Sequence, residues 1–507
     1  MILRRCISSL SGSKTGAFQL PPTIRQLLAS PTTPDAPAIT VSGWIKSIRR
    51  QKNVAFAVLT DGSSSQGLQA VFVGNGEGVK ALTNGSAVRL TGRLVPSPGA
   101  GQDKEFLVDL GKGKAQANAG EVHVLGSCDP ELYPIQKQAL STEYLRDHSH
   151  LRARTDAIAA MIRLRDSLQK NISTFFDDQG FVYTHTPILT GNDAEGAGES
   201  FRIAEMSSTH PSVGHPPHAA TPAPAHEKEF FSRPAHLTVS HQLHLEALAT
   251  SLSRVYTLSP CFRAERSLTG RHLAEFWMLE AEWALTTGGV NATCDFVEAC
   301  LRSVVRGAPA TDVDALWKGK DADGEERRRA LDDAVSLQRE PWVRMTYTEA
   351  VRALEDHVHQ NPAAFEYAPA WGRTLQSEHE KWLAEKLVGG PVFITDYPAA
   401  LKPFYMRHND DGKTVACFDL IVPHVGELVG GSVREERAEV LEEQMRADFG
   451  PDLGSGAYQW YLDLRKYGGA PHMGFGMGFE RLVGWVGGID NVRESIPFPR
   501  WAGRMLL

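Results

Sequence analysis

The chain has 507 residues, 42% hydrophobic and 22% charged, which is the balance of a globular protein with length for roughly two to four domains. No apolar run reaches the ~18–20 residues of a membrane helix, and the six scattered cysteines form no C-x-x-C pair, which argues against a membrane span, a structural zinc site and a disulfide framework. The net charge of −7 means that any nucleic acid must be bound by local basic patches.

The first 34 residues contain no acidic side chain, whereas Arg4, Arg5, Lys14 and Arg25 lie there among Ser, Thr and apolar residues. This composition is typical of a mitochondrial transit peptide, and a disordered tail is the alternative. The sequence therefore predicts a transit peptide over residues 1–35 and a location in the mitochondrial matrix. Additional use in the cytosol stays open.

Short alternating strands separated by turn signals fill residues 36–130, which indicates a small β-barrel or sandwich. The pattern G-W-I, followed by F-x-x-L-x-D-G and L-Q-A-V, resembles the OB-fold anticodon-binding domain of aspartyl-, asparaginyl- and lysyl-tRNA synthetases. The resemblance implies that Phe56 stacks an anticodon base, that Gln69 reads a base edge and that Arg49 lies near the backbone. A strand aromatic such as Phe56 is equally often a core residue.

A hinge over residues 131–152 leads into a domain that we predict to span 153–507. It begins with an amphipathic helix between Thr155 and Gly180, followed by a strand that ends at Pro187. This pair resembles the first signature motif of class II aminoacyl-tRNA synthetases, which builds a homodimer interface. Residues 204–228 are rich in Pro, Ala and His and are predicted to be a flexible insertion rather than a metal site.

Two later segments carry the strongest signal. Residues 263–282 read RAERSLTGRHLAEFWMLEAE, and residues 471–500 read PHMGFGMGFERLVGWVGGIDNVRESIPFPR. Together they resemble the second and third motifs of the class II synthetases, specifically those of the asparaginyl enzymes. The implied fold class is α+β. An N-terminal OB-fold barrel is followed along the chain by an antiparallel sheet flanked by helices.

The resemblance implies an enzyme that uses ATP and Mg²⁺ to join asparagine to its tRNA through an asparaginyl-adenylate, releasing AMP and pyrophosphate. Such chemistry needs arginines, a metal ion and fixed dipoles rather than a protein nucleophile. Arg263 would grip the α-phosphate and Arg481 the γ-phosphate, and these two are the predicted catalytic residues. The remaining predicted ATP contacts are Glu265, Arg271, His272, Phe276 and Glu427. Phe276 would be the adenine platform.

Two carboxylates are the candidate magnesium ligands. Glu427 resembles the main metal-binding residue of the family, and Asp419 is the weaker candidate. The alternative for these carboxylates is a salt bridge to one of the nearby arginines.

The predicted amino-acid pocket contains Glu195, Gln242, Glu280 and Arg434. The resemblance implies that Glu195 meets the substrate ammonium, that Arg434 binds the side-chain oxygen and that Glu280 accepts from the amide NH₂. Position 245 is leucine where aspartyl enzymes have lysine, which favours asparagine, since an unpaired buried carboxylate is costly. The family usually has glycine at the position of His241, which leaves the shape of that loop uncertain.

Three other interpretations remain. An aspartyl or non-discriminating synthetase differs only in the pocket. An ammonia-dependent asparagine synthetase would lack the anticodon domain, which residues 36–130 supply. A non-catalytic RNA-binding or regulatory descendant is disfavoured by the intact Arg263, Glu427, Arg434 and Arg481.

Overall fold

The computed structural model describes residues 20–32, 37–74, 76–99, 101–111, 120–191, 200–204, 229–267, 269–450 and 457–507. They divide into two compact units, Met1–Ser141 and Thr142–Leu507. The division falls inside the predicted hinge. Glu195 and almost all of the predicted insertion at 204–228 lie outside the described residues.

The first unit is a closed barrel. Its strands are β1 (Ile39–Arg50), β2 (Val54–Thr60), β3 (Leu68–Val73), β4 (Ala87–Pro96), β5 (Lys104–Asp109) and β6 (Glu121–Gly126), and its helices are α1 (Ile24–Ala29) and α2 (Glu77–Lys80). The order β1-β2-β3-β5-β4 closes because β4 pairs with β1 as well, and β6 adds to β4. Alternate residues of each strand fill the interior, as in Ala55, Ala57 and Leu59 of β2. The OB-fold prediction is confirmed.

Helix α1 lies within the range that the sequence predicts as a transit peptide. Thr23 and Gln26 form a capping box at its start, and Ile24 and Leu27 are buried in the barrel core. The Ile24 N–H donates to Asp61 Oδ2 at 2.8 Å, and Lys104 Nζ donates to the Leu28 carbonyl at 2.6 Å. Folded structure therefore begins before residue 36.

The second unit is built on an eight-stranded sheet in the order β13-β14-β15-β16-β17-β12-β11-β7, with a small sheet β8-β10-β9. The strands are β7 (Val182–Tyr183), β8 (Leu189–Thr190), β9 (Arg202–Ile203), β10 (Ala235–Leu237), β11 (Arg254–Phe262), β12 (Glu275–Ala284), β13 (Val343–Thr346), β14 (Val392–Thr395), β15 (Cys417–Val422), β16 (Gly426–Val433) and β17 (His472–Gly478). The six central strands are antiparallel, and only the edge strands β13 and β7 pair in parallel.

Helices cover this sheet on both faces. They are α3 (Thr142–Asp147), α4 (Asp156–Asp178), α5 (Gln242–Leu252), α6 (Gly289–Arg306), α7 (Ala310–Trp317), α8 (Ala322–Ala334), α9 (Tyr347–Gln360), α10 (Ser377–Trp382), α11 (Ala438–Phe449), α12 (Gln459–Lys466) and α13 (Phe479–Gly487), with a π-helical turn at Leu383–Val388 and 3₁₀ turns at Arg152–Arg154, Ala399–Leu401 and Val492–Glu494. Helices α4, α6 and α13 pack on one face against Leu279, Phe475 and Met477. The predicted α+β class, with an antiparallel sheet between helices, is confirmed.

Among the described residues, no helix combines the length and the apolar composition needed to cross a bilayer.

Candidate active site

The floor of the site is the sheet face opposite the α4–α6–α13 core. On β17, Phe475 and Met477 point into the core, so Gly474, Gly476 and Gly478 face the other way. They stand opposite Glu282, Glu280 and Met278 of β12. A Cβ on Gly474 would collide with the Glu282 carboxylate, and one on Gly476 would lie 2.9 Å from Met278 Cε. The alternating glycines therefore leave a trough between the side chains of β12 and β16.

One end of this trough opens into a concave cleft. All seven residues predicted to bind ATP line it: Arg263, Glu265, Arg271, His272, Phe276, Glu427 and Arg481. They come from β12, β16, α13 and the loop between β11 and β12. The sequence analysis did not name Met278, which lines the same cleft. Its position on β12, two residues from both Phe276 and Glu280, is the signal that identifies it.

Contacts inside the cleft hold its polar side chains in place. The Arg263 guanidinium lies 5.4 Å from the centre of the Phe276 ring, a cation–π distance. His272 Nε2 lies 3.2 Å from Glu265 Oε2, and Arg271 Nη1 donates to Ser377 Oγ at 2.8 Å. The guanidinium groups of Arg263, Arg271 and Arg481 thus line one concave space, which suits a polyphosphate.

The predicted metal ligands come together above Gly430. An ideal Cβ built on Gly430 would lie 3.2 Å from Glu427 Oε1 and 3.6 Å from Asp419 Oδ1. The missing side chain therefore leaves a space that two carboxylates share, which is the donor set that Mg²⁺ prefers. Lys402 Nζ also donates to both Asp419 oxygens, at 2.9 and 2.7 Å. Asp419 therefore pairs with a lysine rather than an arginine, whereas Glu427 Oε2 lies 3.9 Å from Arg481 Nη1, which is the kind of arginine contact considered as the alternative.

Glu380 is an acidic neighbour that the sequence analysis missed. It lies on α10, and its Oε2 is 3.8 Å from Arg271 Nη1. Burial, together with the Glu427 carboxylate, raises the pKa of Glu380 to about 7. Nothing in the local sequence SEHEKW marks this glutamate, because only the fold brings α10 to the cleft.

Glu280 lies deeper in the trough and is buried. It accepts hydrogen bonds from Ser240 Oγ and from the His241 N–H, the latter at 2.9 Å. The acceptor thus lies at the start of α5, where the helix dipole favours negative charge. His241 has a φ of −97°, so this loop does not require glycine.

Arg434 is also buried, but its paired carboxylate is Glu282 rather than Glu280. Its Nε and Nη2 donate to Glu282 at 3.1 and 2.9 Å, and Nη1 donates to Ser432 Oγ at 2.6 Å. Burial disfavours the charged form, yet Glu282 and Glu246 raise the pKa of Arg434 above its usual value. The pocket cation is therefore held ionised and already compensated by a carboxylate.

The predicted pocket residue Gln242 and the position 245, where aspartyl enzymes have lysine, both lie on α5. Gln242 is largely buried, and its Nε2 donates to Glu246 Oε1 at 3.0 Å. Leu245 packs in a small apolar cluster with Ala249 and Val255, so this position brings no cation to the pocket. The sequence analysis missed Glu246 and Glu282. The i, i+4 spacing of Gln242 and Glu246 was the available signal for the first, and the i, i+2 spacing of Glu280 and Glu282 for the second.

The predicted anticodon residues lie on the outer surface of the barrel. Phe56 faces away from the core, opposite Arg49 on β1, and the Arg49 guanidinium lies 5.7 Å from the ring centre. Gln69 also faces outward, with Nε2 3.5 Å from Glu105 Oε2. The alternative of a core aromatic at position 56 is therefore wrong.

Comparisons with known families match both units. Residues 141–502 match the family described as tRNA synthetases class II (D, K and N), and residues 39–122 match the OB-fold nucleic acid binding domain.

The chain is also similar to characterised relatives along most of its length. It is 43% identical to an asparagine–tRNA ligase of Thermosynechococcus vestitus over 92% of this chain and 96% of the relative. It is 45% identical to the asparagine–tRNA ligase of Desulfotalea psychrophila over 92% of this chain and 95% of the relative.

Solved structures show the same architecture. Asparaginyl-tRNA synthetase from Pyrococcus horikoshii, complexed with asparaginyl-adenylate, superimposes with a TM-score of 0.77 at 26% identity, covering 96% of this chain and all of that one. An aspartyl-tRNA synthetase from Entamoeba histolytica, at 20% identity and a TM-score of 0.66 over 97% of this chain and 93% of its own, shares the fold.

Proposed function

Because the chain belongs to the class II tRNA synthetases for aspartate, lysine and asparagine, we propose that it ligates asparagine to tRNA through an asparaginyl-adenylate. One observation carries the proposal. Gly476 and Gly478 line the cleft together with the seven predicted nucleotide residues, and the buried side chains of Glu280 and Arg434 lie beside Gly476 and Gly474 of the same strand. A nucleotide and a small amino acid would lie end to end along β12.

Within this arrangement, activation is a matter of positioning and charge. The fork of Arg263 grips α-phosphate oxygens, while Phe276 supports the adenine. Arg271, His272 and Arg481 hold the pyrophosphate end, so charge that develops on the leaving group meets fixed donors. The α-carboxylate of asparagine attacks the α-phosphate, AMP becomes attached to the amino acid, and pyrophosphate leaves.

Magnesium fits the carboxylates above Gly430. Asp419 and Glu427 would hold the ion, with Lys402 keeping the Asp419 side chain in place. A bound Mg²⁺ would supply neutralisation of phosphate charge.

The choice of asparagine follows from pocket charge. The Glu282 carboxylate already occupies Nε and Nη2 of Arg434, so a substrate carboxylate would meet a compensated cation next to Glu280. A neutral amide instead offers its oxygen to the remaining guanidinium donors and its NH₂ to Glu280. This donor–acceptor match supports asparagine over aspartate.

ATP–pyrophosphate exchange on the purified chain tests the proposal directly. Exchange supported by asparagine, with aspartate far weaker, is the expected result. Exchange with aspartate alone would reject the assignment, and comparable exchange with both would identify a non-discriminating enzyme.

We also propose that the outer barrel face around Arg49, Phe56 and Gln69 binds the tRNA anticodon. The Phe56 ring faces outward beside the Arg49 guanidinium, and Gln69 also faces outward, which supports single-strand binding by stacking and charge.

A homodimer is proposed for the second unit. Strand β7 is the last strand of its sheet, and it carries the exposed side chains of Val182 and Tyr183; Ile188 and Leu189 next to it are exposed as well. An apolar edge strand is a template for pairing with a second copy of the chain.

The acid-free composition of residues 1–34 supports import into mitochondria, where the enzyme would serve translation. Because α1 belongs to the barrel core, we place any cleavage before Thr23. N-terminal sequencing of the protein recovered from mitochondria tests this, and a mature chain that starts after Ala29 would reject it.

A further inference from the structure

Glu246 on α5 is fully buried and accepts four hydrogen bonds. Its Oε2 accepts from Tyr461 OH and Arg465 Nη2, both at 2.7 Å, and lies 3.0 Å from His472 Nε2. Its Oε1 accepts from Gln242 Nε2 at 3.0 Å and is 4.0 Å from Arg434 Nε. Burial works against ionisation of Glu246, but Arg465, His472 and Arg434 hold its pKa well below the usual range.

An ionised carboxylate can only accept hydrogen bonds, which determines the orientation of Gln242. The Gln242 amide must turn its NH₂ toward Glu246, so its carbonyl oxygen is the end left for a ligand. Without this partner, either end of the amide could face the pocket.

Glu246 also sets the charge behind the pocket. His472 Nδ1 lies 2.8 Å from the Ala470 carbonyl oxygen, while Nε2 faces the Glu246 carboxylate. Neither of these partners can donate, so both ring nitrogens of His472 face acceptors. The buried cations Arg434 and Arg465 lie beside the carboxylates of Glu246 and Glu282. Loss of the Glu246 charge would leave this group with excess positive charge.

We propose that Glu246 is a positioning residue for amino-acid selection, acting through Gln242 and through the charge next to Arg434. The inference rests on the proposed function. It assigns the preference for asparagine in part to a side chain that the substrate does not touch.

The test is Glu246→Gln in the full chain, with exchange kinetics measured for asparagine and aspartate. The KM for asparagine should rise, and the ratio of kcat/KM for asparagine to that for aspartate should fall by about tenfold, equivalent to about 1.4 kcal/mol. In a Gln242→Ala background, Glu246→Gln should raise the asparagine KM little further, because the residue through which it acts is gone.

A matched control separates selection from folding. Glu298 on α6 is also buried, accepts from Arg302 Nε at 2.9 Å and lies among residues of the opposite sheet face. Glu298→Gln should affect only the fraction of folded enzyme. The KM for asparagine and the ratio of kcat/KM for asparagine to that for aspartate should stay unchanged. A merely structural role for Glu246 would give this same pattern.

Tyr461→Phe removes one hydrogen bond to Glu246 and keeps the ring, so it serves if Glu246→Gln does not fold. It should change the KM and the ratio in the same direction by a smaller factor. The inference is overturned if the variant that folds leaves both quantities at the Glu298→Gln values. Failure of the unmodified chain to use asparagine would instead overturn the proposed function.

Discussion

Arg481 illustrates how single residues reach the site from a distant part of the chain. It follows β17 at the start of α13, lines the nucleotide cleft, and its Nη1 donates to the Glu427 carbonyl at 2.5 Å. Its neighbours in sequence, G-F-E-R, made it predictable, as the segment R-A-E-R-S-L-T-G-R-H-L-A-E-F did for Arg263 and Phe276. Glu246 and Glu282 were marked only by their spacing from Gln242 and Glu280. Glu380 had no sequence signal, because only the fold brings α10 to the cleft.

Replacing Arg481 with alanine should reduce ATP–pyrophosphate exchange by roughly 100-fold or more, since a fixed donor to developing phosphate charge is lost. Filter binding should show tRNA affinity almost unchanged. Arg446→Ala, which removes an exposed arginine that pairs with Glu442 on α11, is the control and should match the parent. Comparable exchange by Arg481→Ala and Arg446→Ala would reject the role.

A second prediction concerns the space above Gly430. Gly430→Ala would place a methyl group between Glu427 and Asp419, so the concentration of Mg²⁺ needed for half-maximal exchange should rise by roughly tenfold. Gly390→Ala, at a glycine whose added Cβ meets nothing within 4 Å, should leave that concentration unchanged. Equal magnesium requirements in the two variants would argue against an ion at Asp419 and Glu427.

At the scale of elements, strand β2 shows what alternation reveals and what it leaves open. The period of two in VAFAVLT predicts that every second side chain faces a core. In the structure these buried side chains are Ala55, Ala57 and Leu59. Sequence alone left the side of Phe56 open, since an aromatic fits a core as well as a ligand surface. Helix α1 was not predicted for another reason. The acid-free composition of the residues around it indicates a transit peptide, although Ile24 and Leu27 of α1 are buried in the barrel core.

Phe56→Ala should therefore leave barrel stability nearly intact and weaken tRNA use. Loss of one stacked base costs about 1–3 kcal/mol, so the KM for tRNA in aminoacylation should rise by roughly 5- to 150-fold. Exchange without tRNA should not change, and Phe56→Tyr, which keeps a ring, should restore most of the loss. An unchanged KM for tRNA in Phe56→Ala would contradict the anticodon assignment.

For the molecule as a whole, the order of the two units and the α+β class were predictable, because the barrel and the synthetase motifs each carry strong local patterns. The parallel pairing of β7 with β11 and of β13 with β14, at the two edges of the sheet, was not predictable, since short edge strands have no distinctive periodicity. The proposed homodimer belongs to this scale as well.

Val182→Asp should convert the dimer to a monomer, because a carboxylate would then be buried at the edge of β7. Sedimentation measurements check this. Leu337→Asp, which adds the same charge at another exposed apolar position, should sediment as a dimer. If Val182→Asp and the parent sediment alike, the second copy does not bind at β7.

Glycines and large apolar residues alternate along β17, so the pairing register of this strand decides whether the enzyme is active. Phe475 and Met477 lie in the core while Gly474, Gly476 and Gly478 form the trough floor. A slip of one residue in pairing would exchange the two sets, leaving holes in the core and bulky side chains in the space for ATP and the amino acid. Molecules with a slipped β17 would therefore be inactive and would not attach a wrong amino acid to tRNA. The strand that forms the floor of the substrate site thus also protects the accuracy of aminoacylation.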